Sequence, residues 1–476
     1  MFGLRRLTWL AAGFATSLFL GPAPVCAYEG STTLAGLTEQ AALKSLLHRR
    51  LAGRFDLSLG LFEPLQLDLA LLDEARAREL FSRLSGLDAG QGHAPWVFPP
   101  EGGKTSPLKQ TALGWLVAGA VLEQMPAQAV RNHFVDGKTG AGLSRPVGQT
   151  AASAAASAVE QRIATPRQLF AGAAMDGTGL SSVDWLASPD NSLGQNAFFA
   201  AYERRVTHPD PKVRQTALSL SLLSLGAMLA VLEQAGDPAF VHNDLASVLS
   251  ADFSGYVSAR YGRAGVPSPN ESVEPPVRFA DLLFEREGRK TGLAEQTASR
   301  FLSKSALGSL DVKTLLSGRF GVEGYLARQS IRHGIRWHLE PGGKTELTLD
   351  ERCFAEHAAA LLPKIGSYAR AGLDFLLRGD LKMTLGPTGE LSLTLLDQAL
   401  GSGVLTVFGE TAEGQRSELT KMATLPTRPG VLGVVSLADK IGPGHTRLVL
   451  FWKGQDRNGQ PLFSSAQLHL KKKPAE

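Results

Sequence analysis

Chemistry in this chain first suggests itself at "RNHFVDGKTGAGL", Arg131 to Leu143, where His133 is followed three residues later by Asp136 and then by a glycine-rich turn. Neutral imidazole is the commonest side-chain ligand for a transition metal, and carboxylates complete many such sites. A His followed by Phe-Val-Asp is a weak pattern alone, and its plain alternative is a helix-end His beside a turn Asp. A metal that activates water needs about three protein ligands and one open position. The partners of His133 therefore decide the matter.

Other motifs contribute little. "EGGKT" at Glu101 and "PGGKT" at Pro341 evoke a phosphate-binding loop, but the required upstream glycine is Phe98 in one and His338 in the other, so both read as turns. "RHGIRWH" sets His333 and His338 five apart, a spacing that brings them to one face of neither helix nor strand. It reads as an extended segment with surface histidines. No Gly-x-Ser-x-Gly elbow occurs, which removes the support for that type of serine hydrolase. The lysines of "KKK" near the C-terminus read as a solvated tail.

The elements that must position these residues start with a removable one. "MFGLRR" is a short positive start, "LTWLAAGFATSLFLG" an apolar run, and Val25-Cys26-Ala27 a small-residue cleavage site. Residues 1–27 thus read as a signal peptide, with Tyr28 as the mature N-terminus and an exported product, periplasmic, surface-bound or secreted. Cys26 raises a lipid anchor as the alternative, against which Val25 is bulky for a lipobox. Cys353 is then the sole remaining cysteine, so no internal disulfide is expected, and on a helix it reads as a small buried hydrophobe. The formal charge of +4 falls to +2 once Arg5 and Arg6 are removed, and no basic aromatic patch accompanies it, so nucleic-acid binding is not expected.

At 476 residues the chain is long enough for two or three domains. From about residue 35 to 376 apolar residues recur with helical period. "LTEQAALKSLLHRRLA" places Leu43, Leu46, Leu47 and Leu51 on one face behind Thr38 as a possible cap. "SPLKQTALGWLVAGAVLEQM" and "VKTLLSGRF", ending at Phe320, read as helices too. "QTALSLSLLSLGAMLAVLEQ", Gln215 to Gln234, is apolar almost all round and reads as a central buried helix, so no transmembrane helix is expected in the mature chain. "TAASAAASAVEQR" suits a packed helix or a soft connector, and "GRAGVPSPNESVEPPVRF" a Pro-rich loop.

Beyond "RGDL" the period switches to two. "LKMTL", "ELSLTLL", "GVLTVFGE", "VLGVVSLA", "TRLVLFWKG" and "LFSSAQLHL" are short runs broken by turn signals, the pattern of an antiparallel β-sandwich, without an acidic cluster suited to calcium. The expected fold is mainly α, with a helical domain over 28–378 followed by a small antiparallel β-sandwich over 379–476.

Several segments in order, "TTLAGLTEQAAL", "LVAGAVLEQMPAQAVRNHFVD", "LGAMLAVLEQAGDPAFVHNDL", "FSGYVSARYGRAGVP" and "LLPKIGSYARAGLDFLLRGDL", make the chain resemble the zinc-dependent phospholipase C and P1-nuclease superfamily. Together they spread over most of residues 28–380. The resemblance implies a helical domain holding three zinc ions in a cleft, on the free N-terminal residue, several histidines and acidic carboxylates. Such metals bind a phosphodiester and lower the pKa of an attacking water.

Position by position, the ligand set that the resemblance implies is nearly gone. Leu34 stands where a His is implied, Gln124 replaces an Asp, Ala230 a His, Gln234 an Asp and Phe240 a His. Ser250 and Ser254 fall where a His and a Glu are implied, and Tyr28 where the metal-binding N-terminal residue would be. Only His133 matches. The apolar replacements read as a site refilled with core, so no cofactor is expected and the protein reads as a catalytically inactive, phospholipase C-like binding module. Its ligand would be a lipid head group, a surface polymer or a protein, and a structural role in the envelope stays open beside it. The alternative is a phosphodiesterase with a depleted zinc site, in which a two-residue shift of "FVHND" would let His242 and Asp244 join His133.

Overall fold

The computed structural model describes residues 30–91, 107–124, 127–144, 178–318, 321–396, 400–424, 430–437 and 439–470. The signal segment with Cys26, Tyr28, the Glu101 turn, the Ala/Ser-rich stretch and the C-terminal lysines lie outside those residues.

An apolar helix forms the axis of the helical part. α7 (Pro211–Gln234) begins where the Asp210 carboxylate caps the Lys212 N–H and Pro211 takes the first turn. The other helices longer than one turn, in chain order, are α1 (Ala35–Lys44), α2 (Leu47–Phe55), α3 (Glu74–Gln91), α4 (Ala112–Leu122), α5 (Ser182–Ala187), α6 (Gln195–Thr207), α8 (Leu245–Ser250), α9 (Asp252–Arg260), α10 (Leu293–Arg300) and α11 (Glu351–Leu376). From Ser221 to Gln234 every residue of α7 is buried. Its length and hydropathy would suit a membrane span, yet its surroundings are the chain itself. α4, buried at all eleven positions, runs against it. Gly119 and Gly226 make that approach possible, since a Cβ on either would overlap the carbonyl of Leu223 or Leu116. α1 and α11 complete the bundle around α7, and the Pro-rich loop ties onto α11 through the N–H groups of Asn270 and Glu271, which donate to Ser367 Oγ.

Several local expectations need correction. The segment from Ser106 is not helical throughout: β2 (Leu108–Thr111) pairs antiparallel with β1 (Pro64–Leu67), and α4 starts only after Thr111, whose hydroxyl caps Gly114. Thr38 caps nothing, for α1 already runs at Ala35 and the Thr38 hydroxyl is buried on Glu233. Leu43 and Leu46 are exposed, because the helix breaks at Ser45 and restarts with Leu47 and Leu51 inward. Among the described residues of "VKTLLSGRF", Val312–Leu315 is helical and Leu316–Gly318 is a turn; Arg319 and Phe320 lie outside the described residues. Between there and α11 lies an antiparallel sheet of β3 (Glu323–Arg328), β4 (Ile331–Leu339) and β5 (Thr345–Thr348), over a small core that includes Trp337 and Cys353. Burial pushes the Cys353 thiol up to about 11. "RHGIRWH" is strand β4, with His333 Nδ1 2.6 Å from Glu356 Oε1 and His338 exposed, and "PGGKT" is the turn into β5.

The long helix α11 ends at Leu376, and a β-sandwich follows. Its strands are β6 (Leu381–Leu385), β7 (Glu390–Leu395), β8 (Leu400–Thr411), β9 (Arg416–Thr424), β10 (Gly430–Ser436), β11 (His445–Asp456) and β12 (Pro461–His469). One sheet has the order β10-β7-β6 and the other β12-β11-β8-β9, with every pairing antiparallel. Strand β9, "RSELTKMAT", is a polar edge strand and so lacks a clear apolar alternation.

The larger sheet is covered on both faces. Along β11, Leu448, Leu450 and Trp452 enter the sandwich core, while Val449 and Phe451 enter the helical core. That is why "TRLVLFWKG" is continuously apolar rather than alternating. Phe199 and Tyr202 of α6 pack against Phe463, and the Tyr202 hydroxyl lies 3.2 Å from Ser465 Oγ. A buried ionic cluster closes the seam. Arg214 Nη2 and Arg416 Nε reach Glu410 Oε2 at 3.1 and 2.6 Å, and Arg447 Nη1 reaches Oε1 at 3.3 Å. Burial, with Arg416 alongside, pushes the Arg214 guanidinium down to about 10. Glu410 holds these cations together, so Glu410→Ala leaves them buried and unbalanced, at a cost of about 3–5 kcal/mol. Urea unfolding followed separately by helix and tryptophan signals should show a single transition displaced to lower urea; a loss below about 1 kcal/mol would mean that the cluster is effectively solvated.

Candidate functional site

Three residues at the implied ligand positions, Gln124, His133 and Gln234, meet where α7 ends. His133 closes a short turn, Arg131–His133, and has no exposed surface. Its Nδ1 lies 2.5 Å from Gln234 Oε1 and its Nε2 3.3 Å from Glu123 Oε1. Gln234 Nε2 donates to Gln124 Oε1 at 2.8 Å. Trp185 Nε1 donates to the same Glu123 oxygen at 2.8 Å. Four segments are tied into one chain of hydrogen bonds: the end of α4, the His133 turn, α5 and the last turn of α7. In this arrangement both ring nitrogens of His133 face acceptor oxygens, and the tautomer decides which of them donates. Exchanging the amide O and N of both glutamines would let Nδ1 accept instead.

Three further positions hold hydrocarbon. Leu34, Ala230 and Phe240 are wholly buried, and Phe240 stacks on Phe134 with ring centroids 4.4 Å apart. Spacing alone carries Ala230 and Gln234 to one helical face, and a methyl group now occupies the first of those places. Ser250 is half-buried and donates to Ser247 O, and Ser254 is buried beside a cavity of about 10 Å³ that Asp237 and Asp252 also line. Tyr28 lies outside the described residues.

His242 and Asp244 do not join His133. His242 Nε2 takes Phe301 O at 2.8 Å. Asp244 caps α8 through Ser247 N–H at 3.0 Å, and its other oxygen accepts from Ser247 Oγ at 2.6 Å and Ser305 N–H at 2.9 Å. These hydrogen bonds hold its carboxyl below the usual range despite burial. The re-registered site fails because Pro238 and Asp237 start the turn Pro238–Val241 where they stand, fixing "FVHND" without a shift.

A zinc cluster can be tested against this donor set. The residues offer one imidazole with both nitrogens engaged, one carboxylate, two neutral amides and three apolar side chains. Among the described residues, no group of three or more His, Cys, Asp or Glu is placed to hold a metal ion. The residues present do not fit a three-metal centre, and no chemical step is derived through one.

Three functional groups escaped the sequence reading. Glu123 sits beside Gln124, yet it is Glu123 that meets His133; it also forms part of a pocket of about 510 Å³ with Trp185 and Asn132. Glu233 precedes Gln234, and among the described residues its two oxygens face only Thr38 Oγ1, at 3.0 and 3.1 Å. Burial holds its carboxyl well above the usual range. Asp237 caps the turn after α7 through Ala239 N–H. A charged residue closing an apolar helical run was the available signal in the first two cases.

No protein-family model matches the chain, and no curated protein matches it. Among solved structures, the chain is similar to alpha toxin from Clostridium absonum, at 12% identity and a TM-score of 0.28, over 93% of this chain and 95% of that one. A superposition that loose carries no argument about the site. What the strands and helices establish directly is the architecture, a helical part followed by an antiparallel sandwich.

Asp237 provides a pH test. Burial raises its carboxyl from 3.8 to about 7, with Asp244 and Asp252 adding to the rise and the Ala239 N–H opposing it. A raised carboxyl favours the folded state most below the unfolded value near 4. That contribution is lost as pH climbs through 7. Asp237→Asn keeps the cap and removes the titration. The variant should gain stability over the parent between pH 5 and pH 8, by up to about 4 kcal/mol. Parallel pH profiles in denaturant unfolding would show the same slope for both proteins if Asp237 were ionised throughout.

Proposed function

We propose that this chain is an exported, catalytically inactive relative of the zinc-dependent phospholipases C that acts by binding a ligand. The observation carrying the reading is the engagement of His133 by Gln234 and Glu123 within an interior that Leu34, Ala230 and Phe240 have filled. A hydrolytic centre of that kind needs an open coordination position and a supply of anionic or imidazole ligands. Here the retained imidazole is spent on side-chain hydrogen bonds, and the replacements are chosen from core residues. Support for export comes from the positive start, apolar run and small-residue site of residues 1–27. Support for binding comes from the pocket that Glu123 and Trp185 border. The sandwich, clamped at Glu410, would serve as a rigid flank.

Metal analysis, chelation and a phosphodiesterase assay on the purified protein test this together. The expected result is substoichiometric zinc, an unfolding temperature indifferent to chelator, and no hydrolysis of a chromogenic phosphodiester. His133→Ala should lower stability by about 1–3 kcal/mol by leaving Gln234 and Glu123 short of partners, with no activity to lose. Stoichiometric zinc that disappears from His133→Ala along with phosphodiesterase activity would overturn the reading in favour of a depleted but working enzyme.

A further inference from the structure

We infer that the pocket beside His133 is a site for a neutral, hydroxyl-rich ring, a mono- or disaccharide. The inference rests on the binding role proposed above and names the ligand class. A volume of about 510 Å³ lies within the range of small-molecule sites and accommodates one or two sugar rings.

Glu123 is 1% exposed, and its hydrogen bonds among the described residues, from His133 and Trp185, all go to Oε1. Its second oxygen, Oε2, is left as an acceptor with no partner among them. A carboxylate oxygen with acceptor capacity to spare at a pocket wall suits a ligand that donates. Asn132 is buried and accepts from Leu180 N–H through Oδ1 at 3.0 Å, which fixes its amide and leaves Nδ2 as a donor. Asp190, exposed on the pocket rim, adds further acceptors. Trp185 is half-buried, and its ring is held in orientation by the Nε1–H bond to Glu123.

Acceptors and a donor around one oriented indole match the alternating hydroxyls and the C–H face of a sugar ring. An anion fits less well. Two carboxylates border the pocket, the Arg83 guanidinium is committed to Glu79 at 2.9 Å, and Arg131 is engaged within the chain. A quaternary ammonium is best held by several aromatic faces, and Trp185 is the one aromatic among the described residues of this pocket.

The test uses the full chain in calorimetric titrations against glucose, galactose, N-acetylglucosamine, maltose and cellobiose, with choline chloride and inorganic phosphate alongside. At least one saccharide should bind. Trp185→Phe, which keeps the packing but drops the bond to Glu123, should weaken it about tenfold, and Asp190→Ala about threefold. Asp190 is exposed, so its variant tests the pocket without disturbing the core. Absence of saccharide binding, or binding indifferent to both substitutions, overturns the inference. Binding of choline or phosphate in its place, lost in Trp185→Phe, also overturns it while leaving the binding role standing; turnover of a phosphodiester would remove both.

Discussion

Polar groups buried at the end of α7 must find partners inside the protein, and that requirement organises its surroundings. Gln234 is unusual in meeting it twice over, accepting from His133 and donating to Gln124. An amide is suited to this because it carries both a donor and an acceptor, where a carboxylate would offer acceptors alone. Gln234 is a relay that holds two other side chains. The backbone contact at Gly119 and Gly226 brings α4 close enough to α7 for Gln124 to be reached.

The same neighbourhood contains carboxyls under tension. Glu233 and Asp237 bracket Gln234, and burial raises both. A metal cluster would supply positive charge to such groups, whereas here a hydroxyl and an N–H face them. Protonation is the remaining way to lower the desolvation cost. This end of the helix consequently loses stability as pH rises. The seam with the sandwich solves the opposite problem. There, cations are in excess, and Glu410 together with backbone carbonyls such as Pro209 O and Gly414 O absorbs them.

Legibility followed the physics of each element. Long periodic helices and alternating strands were visible because burial on one face writes itself into spacing, and the turn near "RGDL" marked the change of period. The segment at Leu108–Thr111 was not visible, since a short strand preceding an apolar helix shares that helix's composition. Nor was β9, whose edge position leaves it little apolar demand. At the site, the fate of Leu34, Ala230 and Phe240 as buried residues could be read from their types. The partner of His133 could not. Gln124 and Glu123 are adjacent, and the way α4 ends determines which of them faces the imidazole; helix ends are poorly specified by sequence alone.

That last distinction bears on how a binding site could arise from such a scaffold. With Gln124 turned to Gln234, it is Glu123 that meets His133 and Trp185 with one oxygen, and its other oxygen makes no hydrogen bond among the described residues. The carboxylate beside the histidine therefore also offers an acceptor at the pocket wall. Removing His133 would loosen Glu123, and with Glu123 the indole of Trp185 that depends on the same oxygen. The imidazole ring is a strut between the core relay and the pocket wall.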